Sequence, residues 1–354
     1  MALSASRTDF RSVIALLLSG ALLLGGCAGQ PAGQDPAAGA PGPTSESSDD
    51  VVTPDGAGQL GPAPAAPSAS GSPTGQDGSA QPGAPDPAAP VGSTRDPGRQ
   101  ASAGPATAVS SARKGVGVWN FAGVSKALAS SNAGWYYTWS TQHPGIKTSP
   151  GVTFVPMIWG PGSVTPTELA RAKAAGPYLL GFNEPDLAEQ SNMDVEQALD
   201  LWPQLEATGA VLGSPAVAWG GADAGGWLDR FMSGARQRGL RVDFIALHWY
   251  GGDFTTANAV NQLRQYIEAV HRRYGKPIWL TEFALIRFAA GGAQFPSEQQ
   301  QAAFLSAATE MLAGLPYLQR YAWFGLPATD RDRTGLFSSG SQPTAIGRAF
   351  QSAP

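Results

Sequence analysis

From Gly115 onward, near-continuous apolar runs alternate with stretches of helical period, and that rhythm constrains the fold more than any other feature. The runs cover residues 116–120, 135–140, 152–159, 178–184, 210–217, 242–250, 278–284 and 319–326. Unbroken apolar runs are the mark of parallel strands buried on both faces; a half-exposed sheet would alternate instead. Helices fit between most of them. Residues 165–175 open as Thr-Pro-x-Glu, where Thr165 can cap and Pro166 suits the first turn. The stretches 194–208, 224–238, 257–274 and 297–313 stop at Gly209, Gly239, Gly275 and Gly314, glycine just past the last turn being a common stop. Eight strands with helices between them over roughly 240 residues predict an α/β fold, a closed (β/α)8 TIM barrel. Residues 141–151 hold Pro144, Gly145 and Pro150, so the barrel is expected to lack a regular helix after its second strand. An open doubly wound sheet is disfavoured, because no Gly-rich nucleotide loop follows the first run.

The first 112 residues read differently. Residues 1–27 carry Arg7 and Arg11, an apolar middle and small residues before Cys27, the pattern of a signal peptide. Leu24-Gly25-Gly26-Cys27 resembles a bacterial lipobox, which implies lipidation at Cys27 and attachment to the outer face of a membrane. An ordinary secretory cut nearby, with Cys27 a bystander, is the alternative. The apolar run is shorter than the ~20 residues a bilayer span needs. Cys27 is the single cysteine, which excludes disulfides and cysteine-based metal sites. Residues 28–112 are rich in Pro, Gly, Ala and Ser; they cannot bury enough apolar surface to offset their ordering entropy, so a disordered linker is expected. Such a tether reaches roughly 50 Å.

Residues 113–354 form the expected folded domain and contain all ten tryptophans. They carry 19 Lys and Arg against 18 Asp and Glu, a near-neutral balance that argues against a nucleic-acid partner. A near-neutral, Trp-rich domain suits a protein that handles carbohydrate, and a monomer is expected without the composition deciding it.

Two strand ends carry the chemistry. The fourth run ends in Gly181-Phe182-Asn183-Glu184-Pro185-Asp186, and Pro185 removes a backbone donor, so the ladder stops there. The seventh run ends in Trp279-Leu280-Thr281-Glu282-Phe283. Active sites of (β/α)8 barrels lie at the C-terminal ends of the strands, which would bring Glu184 and Glu282 face to face. Cleavage of a glycosidic bond needs such a pair: one carboxyl protonates the leaving oxygen, the other attacks the sugar or activates water. A strand-end Glu alone reads equally well as a rim carboxylate capping the next helix; the pairing tips the balance towards catalysis.

Trp119-Asn120, the Asn183-Glu184 motif, Leu247-His248-Trp249-Tyr250 and Trp279 to Phe283 together resemble glycoside hydrolase family 128, the Asl1-like catalytic domains, over residues 115–350. The family is similar to the wider clan of retaining (β/α)8 glycosidases. The resemblance implies an endo-β-1,3-glucanase that retains configuration through a covalent intermediate. It implies Glu184 as general acid/base with a raised pKa, Glu282 as nucleophile, and Asn183 on the sugar hydroxyl beside the reacting carbon. Tyr250 or His248 would hydrogen-bond the nucleophile. No cofactor is required, and no His-x-x-x-His or acidic cluster suggests a metal. His143 and His271 are read as surface residues.

Tryptophans supply the sugar-stacking surface, since an indole can cover the flat C–H face of a pyranose. Trp249 and Trp323 are the leading candidates, Trp119 and Trp159 follow, and Trp139 and Trp219 also fall near strand ends. Trp135, Trp202, Trp227 and Trp279 are assigned to packing between barrel and helices; counting back from Glu282, alternation points Trp279 away from the axis. Asp186 and Asp253 could each orient a loop or bind a hydroxyl in a distal subsite, and helix capping is the favoured role. The competing functional readings are a non-catalytic glycan-binding surface lipoprotein and a transglycosylase that uses the same groove.

Overall fold

The computed structural model describes residues 111–329 and 333–354. The expected signal peptide, Cys27 and nearly all of the linker lie outside them. The barrel strands are β1 (Ser111–Gly117), β2 (Ala133–Tyr137), β3 (Thr153–Phe154), β4 (Tyr178–Leu179), β5 (Val211–Leu212), β6 (Ile245–Gly251), β7 (Ile278–Leu285) and β8 (Leu318–Trp323), and two short antiparallel ribbons lie outside them. Six of them form one parallel sheet in the order β3-β2-β1-β8-β7-β6, and β4 pairs with β5. Parallel bridges from Met157 to Leu180 and from Gly213 to Phe244 join that pair to both edges, which closes the ring. The ladders of β3, β4 and β5 are short because Pro156 and Pro215 offer no N–H there. Single bonds such as Ile158 N–H to Leu180 O and Ser214 N–H to Phe244 O carry the ring onward.

The helices are α1 (Val124–Ser130), α2 (Pro166–Ala175), α3 (Val195–Glu206), α4 (Trp227–Gln237), α5 (Thr256–Tyr274), α6 (Glu298–Ala313) and α7 (Ala345–Ser352). None lies between β2 and β3, as the prolines there lead one to expect. Thr165, Asp194 and Ser297 each accept the backbone N–H three residues on, and Ser297 completes a capping box with Gln300. Each such cap stabilises its helix by about 1 kcal/mol. Among the described residues no helix is long and apolar enough to cross a membrane.

β1 starts at Ser111, five residues before the predicted run, because two cations hide its first half from a hydropathy reading. Arg113 donates through Nη2 to Leu312 O (2.9 Å) and Leu318 O (2.7 Å), around the end of α6. Lys114 is buried and donates through Nζ to Phe350 O (3.0 Å) and Ala353 O (2.6 Å), fastening the end of α7.

Inside the barrel, Trp135 and Trp279 meet at 5.4 Å between ring centres, and Phe244 stacks on Trp279 at 4.2 Å. Trp135 and Trp279 are therefore interior residues, contrary to the expectation that they pack outside. Trp202 does lie between barrel and helices, edge-on to Phe182 and Phe231. Strict alternation between Trp279 and Glu282 does not hold because β7 is bulged. Pairing with β6 runs Leu247–Leu280 and then His248–Glu282, leaving Thr281 as an extra residue. One inserted residue reverses the facing of everything beyond it, so Trp279 and Glu282 both point inward.

Candidate active site

Beyond β4 the chain turns sharply at Glu184, whose φ of 42° lies in the left-handed region. Its N–H donates to Ala216 O at 2.7 Å and its carbonyl accepts from Leu187 N–H at 3.0 Å, so the neighbouring strand and the following turn hold the conformation. A non-glycine residue there costs about 1–3 kcal/mol, a cost characteristic of functional positions. Trp139, at the end of β2, has φ of 54° and faces the same centre.

Glu184, His248 and Glu282 are fully buried, and one oxygen of each carboxylate and one ring nitrogen all lie within 4.8 Å of one another. His248 bridges the two acids, with Nδ1 at 2.8 Å from Glu184 Oε1 and Nε2 at 3.4 Å from Glu282 Oε1. Glu282 Oε1 accepts from Trp139 Nε1 at 2.7 Å and from the Tyr137 hydroxyl at 3.1 Å. Glu282 Oε2 accepts from the Tyr250 hydroxyl in a short hydrogen bond. Burial, reinforced by the charge of Glu282, pushes both phenols well above their ordinary pKa, so they stay protonated and donate.

Burial is also the main reason that Glu184 is pushed up to about 7; Glu282 and Asp186 add to the rise while the hydrogen bond and charge of His248 oppose it. For His248, burial alone would lower the pKa, but the charges of Glu282 and Glu184 outweigh it and raise the imidazole above its usual value. Glu184 Oε2, Asn183 Oδ1 and His248 Nε2 are buried at the site with no hydrogen-bond partner. Asn183 is held through Nδ2, which donates to Gln190 Oε1 at 3.3 Å.

These three side chains are also the one His/Asp/Glu group among the described residues close enough to hold a metal ion. The donors around them suit a different purpose. Indole and phenol hydrogens point at both oxygens of Glu282, and a cation there would have to displace them.

The tryptophan expectations fare unevenly. Trp323 is completely buried, packs edge-on to Phe283 and donates its indole N–H to Thr334 O at 2.7 Å, so it cannot stack on a sugar. Trp249 turns away from the axis, stacks on Phe304 of α6 at 5.6 Å and only borders the mouth. Trp119 and Trp159 are half-buried at strand ends, Trp119 lying 6.0 Å from Trp139 and 5.7 Å from Phe324. Trp219, 38 % exposed, lines a cleft of about 250 Å³ together with His248, Tyr250, Tyr266 and Phe288. Tyr137 is not foreseen from the sequence, because Trp135, two residues before it and so on the same face, is assigned there to the outside of the barrel. Asp186 caps no helix: its Oδ1 accepts from Ala218 N–H at 3.0 Å and ties the β4 and β5 loops together. Asp253 does not cap α5 either: it accepts from Thr255 N–H at 2.8 Å and from Asn258 Nδ2 at 3.0 Å, fixing the turn just ahead of the helix, whose first-turn N–H groups receive no side-chain cap. His143 and His271 are half-buried, each with Nδ1 against a main-chain oxygen.

Residues 117–350 match the family described as the glycosyl hydrolase catalytic core. The chain is 31 % identical over 240 residues to the alkali-sensitive linkage protein 1 of Schizosaccharomyces pombe; the match covers 64 % of this chain and 42 % of that protein. The chain thus spans less than half the length of that relative. Among solved structures, a GH128 (subgroup I) endo-β-1,3-glucanase from Amycolatopsis mediterranei in complex with laminarihexaose is 55 % identical, covers 69 % of this chain and all of its own, and superposes with a TM-score of 0.67. A subgroup II endo-β-1,3-glucanase from Sorangium cellulosum is 30 % identical over 68 % of this chain and 98 % of its own, with a TM-score of 0.58. Matched along the whole barrel in sequence and in structure, the chain belongs to the glycosyl hydrolase catalytic core family and, within it, to glycoside hydrolase family 128.

Proposed function

We propose that this glycoside hydrolase cleaves β-1,3-glucan internally and with retention of configuration, by double displacement on Glu184 and Glu282. The observation that carries the reading is the closeness of the two buried carboxyls, with oxygens within 4.8 Å. Retaining enzymes hold theirs about 5–5.5 Å apart, whereas inverting enzymes need roughly 6.5–9.5 Å to admit a water.

In the first step Glu184 transfers its proton to the glycosidic oxygen as the C1–O bond breaks, and an oxygen of Glu282 forms a bond to C1. A pKa of about 7 keeps Glu184 protonated through the mildly acidic range. Esterification removes the charge of Glu282, one of the causes that raise Glu184. Its pKa then falls, and it can take a proton from water while the water oxygen attacks C1 and frees Glu282. Asn183 Oδ1, unpartnered in the buried site, is placed to accept from a sugar hydroxyl. The laminarihexaose complex of the 55 % identical glucanase supports β-1,3-glucan as the substrate.

The test is to incubate the protein with β-1,3-, β-1,4- and β-1,6-glucans, size the products and follow the newly formed anomer by NMR. Products of intermediate length from β-1,3-glucan, appearing first as the β-anomer, are expected. Release of a single small sugar would overturn internal cleavage, and the α-anomer appearing first would overturn retention. Lipidation of Cys27 and attachment to the outer face of a bacterial membrane complete the proposal; Cys27→Ser should move the protein from the membrane fraction to the medium.

A further inference from the structure

Glu282 accepts more hydrogen bonds on one oxygen than on the other. Oε1 faces two donors, the Trp139 indole at 2.7 Å and the Tyr137 hydroxyl at 3.1 Å, whose single proton also faces Thr281 O at 3.0 Å. Oε2 faces the Tyr250 hydroxyl alone. A carboxylate oxygen offers about two lone-pair directions, so both of those on Oε1 are met by protein donors while Oε2 keeps one free.

We propose that Trp139 is the positioning residue of the nucleophile: its N–H pins Oε1 so that Oε2 is the oxygen that attacks the sugar. The inference rests on the reading of Glu282 given above. Three observations carry it. Of the two donors on Oε1 the indole is the closer, and its N–H serves that oxygen alone, whereas the Tyr137 hydroxyl is divided between Oε1 and Thr281 O. Its ring is fixed, 9 % exposed and wedged against Tyr137 at 4.7 Å and Phe324 at 5.8 Å. Its backbone adopts φ of 54°, a conformation that bulky residues avoid and that aims the indole at the carboxylate. Core packing alone would require neither the left-handed backbone nor an N–H directed at an acid. A role in sugar stacking would require more exposed ring than Trp139 presents.

Trp139→Phe keeps an aromatic ring and deletes the N–H. In the full chain kcat should fall about 10- to 100-fold, the effect of losing one hydrogen bond to a charged group, with KM within about twofold. The decisive comparison is made in Glu282→Ala, where azide supplies its own nucleophile and yields a glycosyl azide of inverted configuration. Trp139→Phe should leave that azide-dependent rate unchanged within about twofold, since the partner through which it acts is gone. An equal fall in both backgrounds, or a raised KM at constant kcat, overturns the proposal. Glu282→Ala that keeps full activity without azide overturns the reading of Glu282 itself, and this is seen before Trp139 is touched. A second measurement needs no rescue. The intermediate trapped with a 2-deoxy-2-fluoro-β-laminaribiosyl fluoride should show the ester on the oxygen remote from Trp139; an ester on the oxygen facing Trp139 overturns the assignment.

Discussion

His248 Nδ1 and Glu184 Oε1 lie 2.8 Å apart, with both side chains wholly removed from solvent. The contact opposes the burial that drives Glu184 upward, so the pKa of about 7 is a compromise between the two. The alkaline limb of kcat/KM should fall near pH 7, as a property of the coupled site. His248→Asn removes the opposing charge and should move that limb to higher pH. A limb that stays in place or moves down would show that His248 does not tune the acid.

The same shift has a consequence for stability. The ordinary glutamate value is 4.5, and the folded value is about 7. As pH rises through this window, the unfolded chain releases a proton that the folded chain retains, so stability falls. Glu184→Gln removes the effect. It should be more stable than the parent at pH 8 by about 1–3 kcal/mol in urea unfolding, with the gap closing towards pH 4. Equal stabilities across that range would contradict a raised pKa.

Trp323 and Trp219 should behave as opposites. Trp323→Ala empties a fully buried site and should cost about 3–5 kcal/mol without altering the product pattern of the surviving enzyme. Trp219→Ala, at an exposed position beside the cleft, should change stability by no more than about 0.5 kcal/mol. It should raise KM for long oligosaccharides about 2- to 10-fold, the worth of one aromatic contact. Unfolding curves and product chromatography separate the two.

Lys114 joins the first barrel strand to the last helix through two main-chain carbonyls. Lys114→Met keeps most of the packing and leaves those carbonyls without their donor. A loss of about 1.5–3 kcal/mol is expected, seen first as faster hydrogen exchange in α7. Activity per folded molecule should stay the same, because the Lys114 side chain leaves the barrel towards the end of α7 and touches neither Glu184 nor Glu282.

Local signals in the chain announced much of this architecture. Thr165, Asp194 and Ser297 marked helix starts that the structure reproduces, and Gly275 marked the end of α5. The short helix α1 carried no comparable signal, α7 is capped by Thr344 but spans too few residues to stand out by period, and Arg113 and Lys114 concealed the start of β1 because their partners lie some two hundred residues away. At the site, the paired acids, Asn183 and the His248–Tyr250 stretch stood out because each ends an apolar strand, a property of consecutive residues. Which way each ring faces was decided elsewhere. Trp323 points outward while Phe324 points towards the mouth, and the bulge at Thr281 brings Trp279 and Glu282 onto one side. Register between strands is fixed by partners distant along the chain, and a one-residue slip reverses every side chain after it. The residues themselves thus specified the barrel and its acids, whereas the donors gathered around Glu282, Tyr137 and Trp139 above all, became apparent only once the closed ring had set that register.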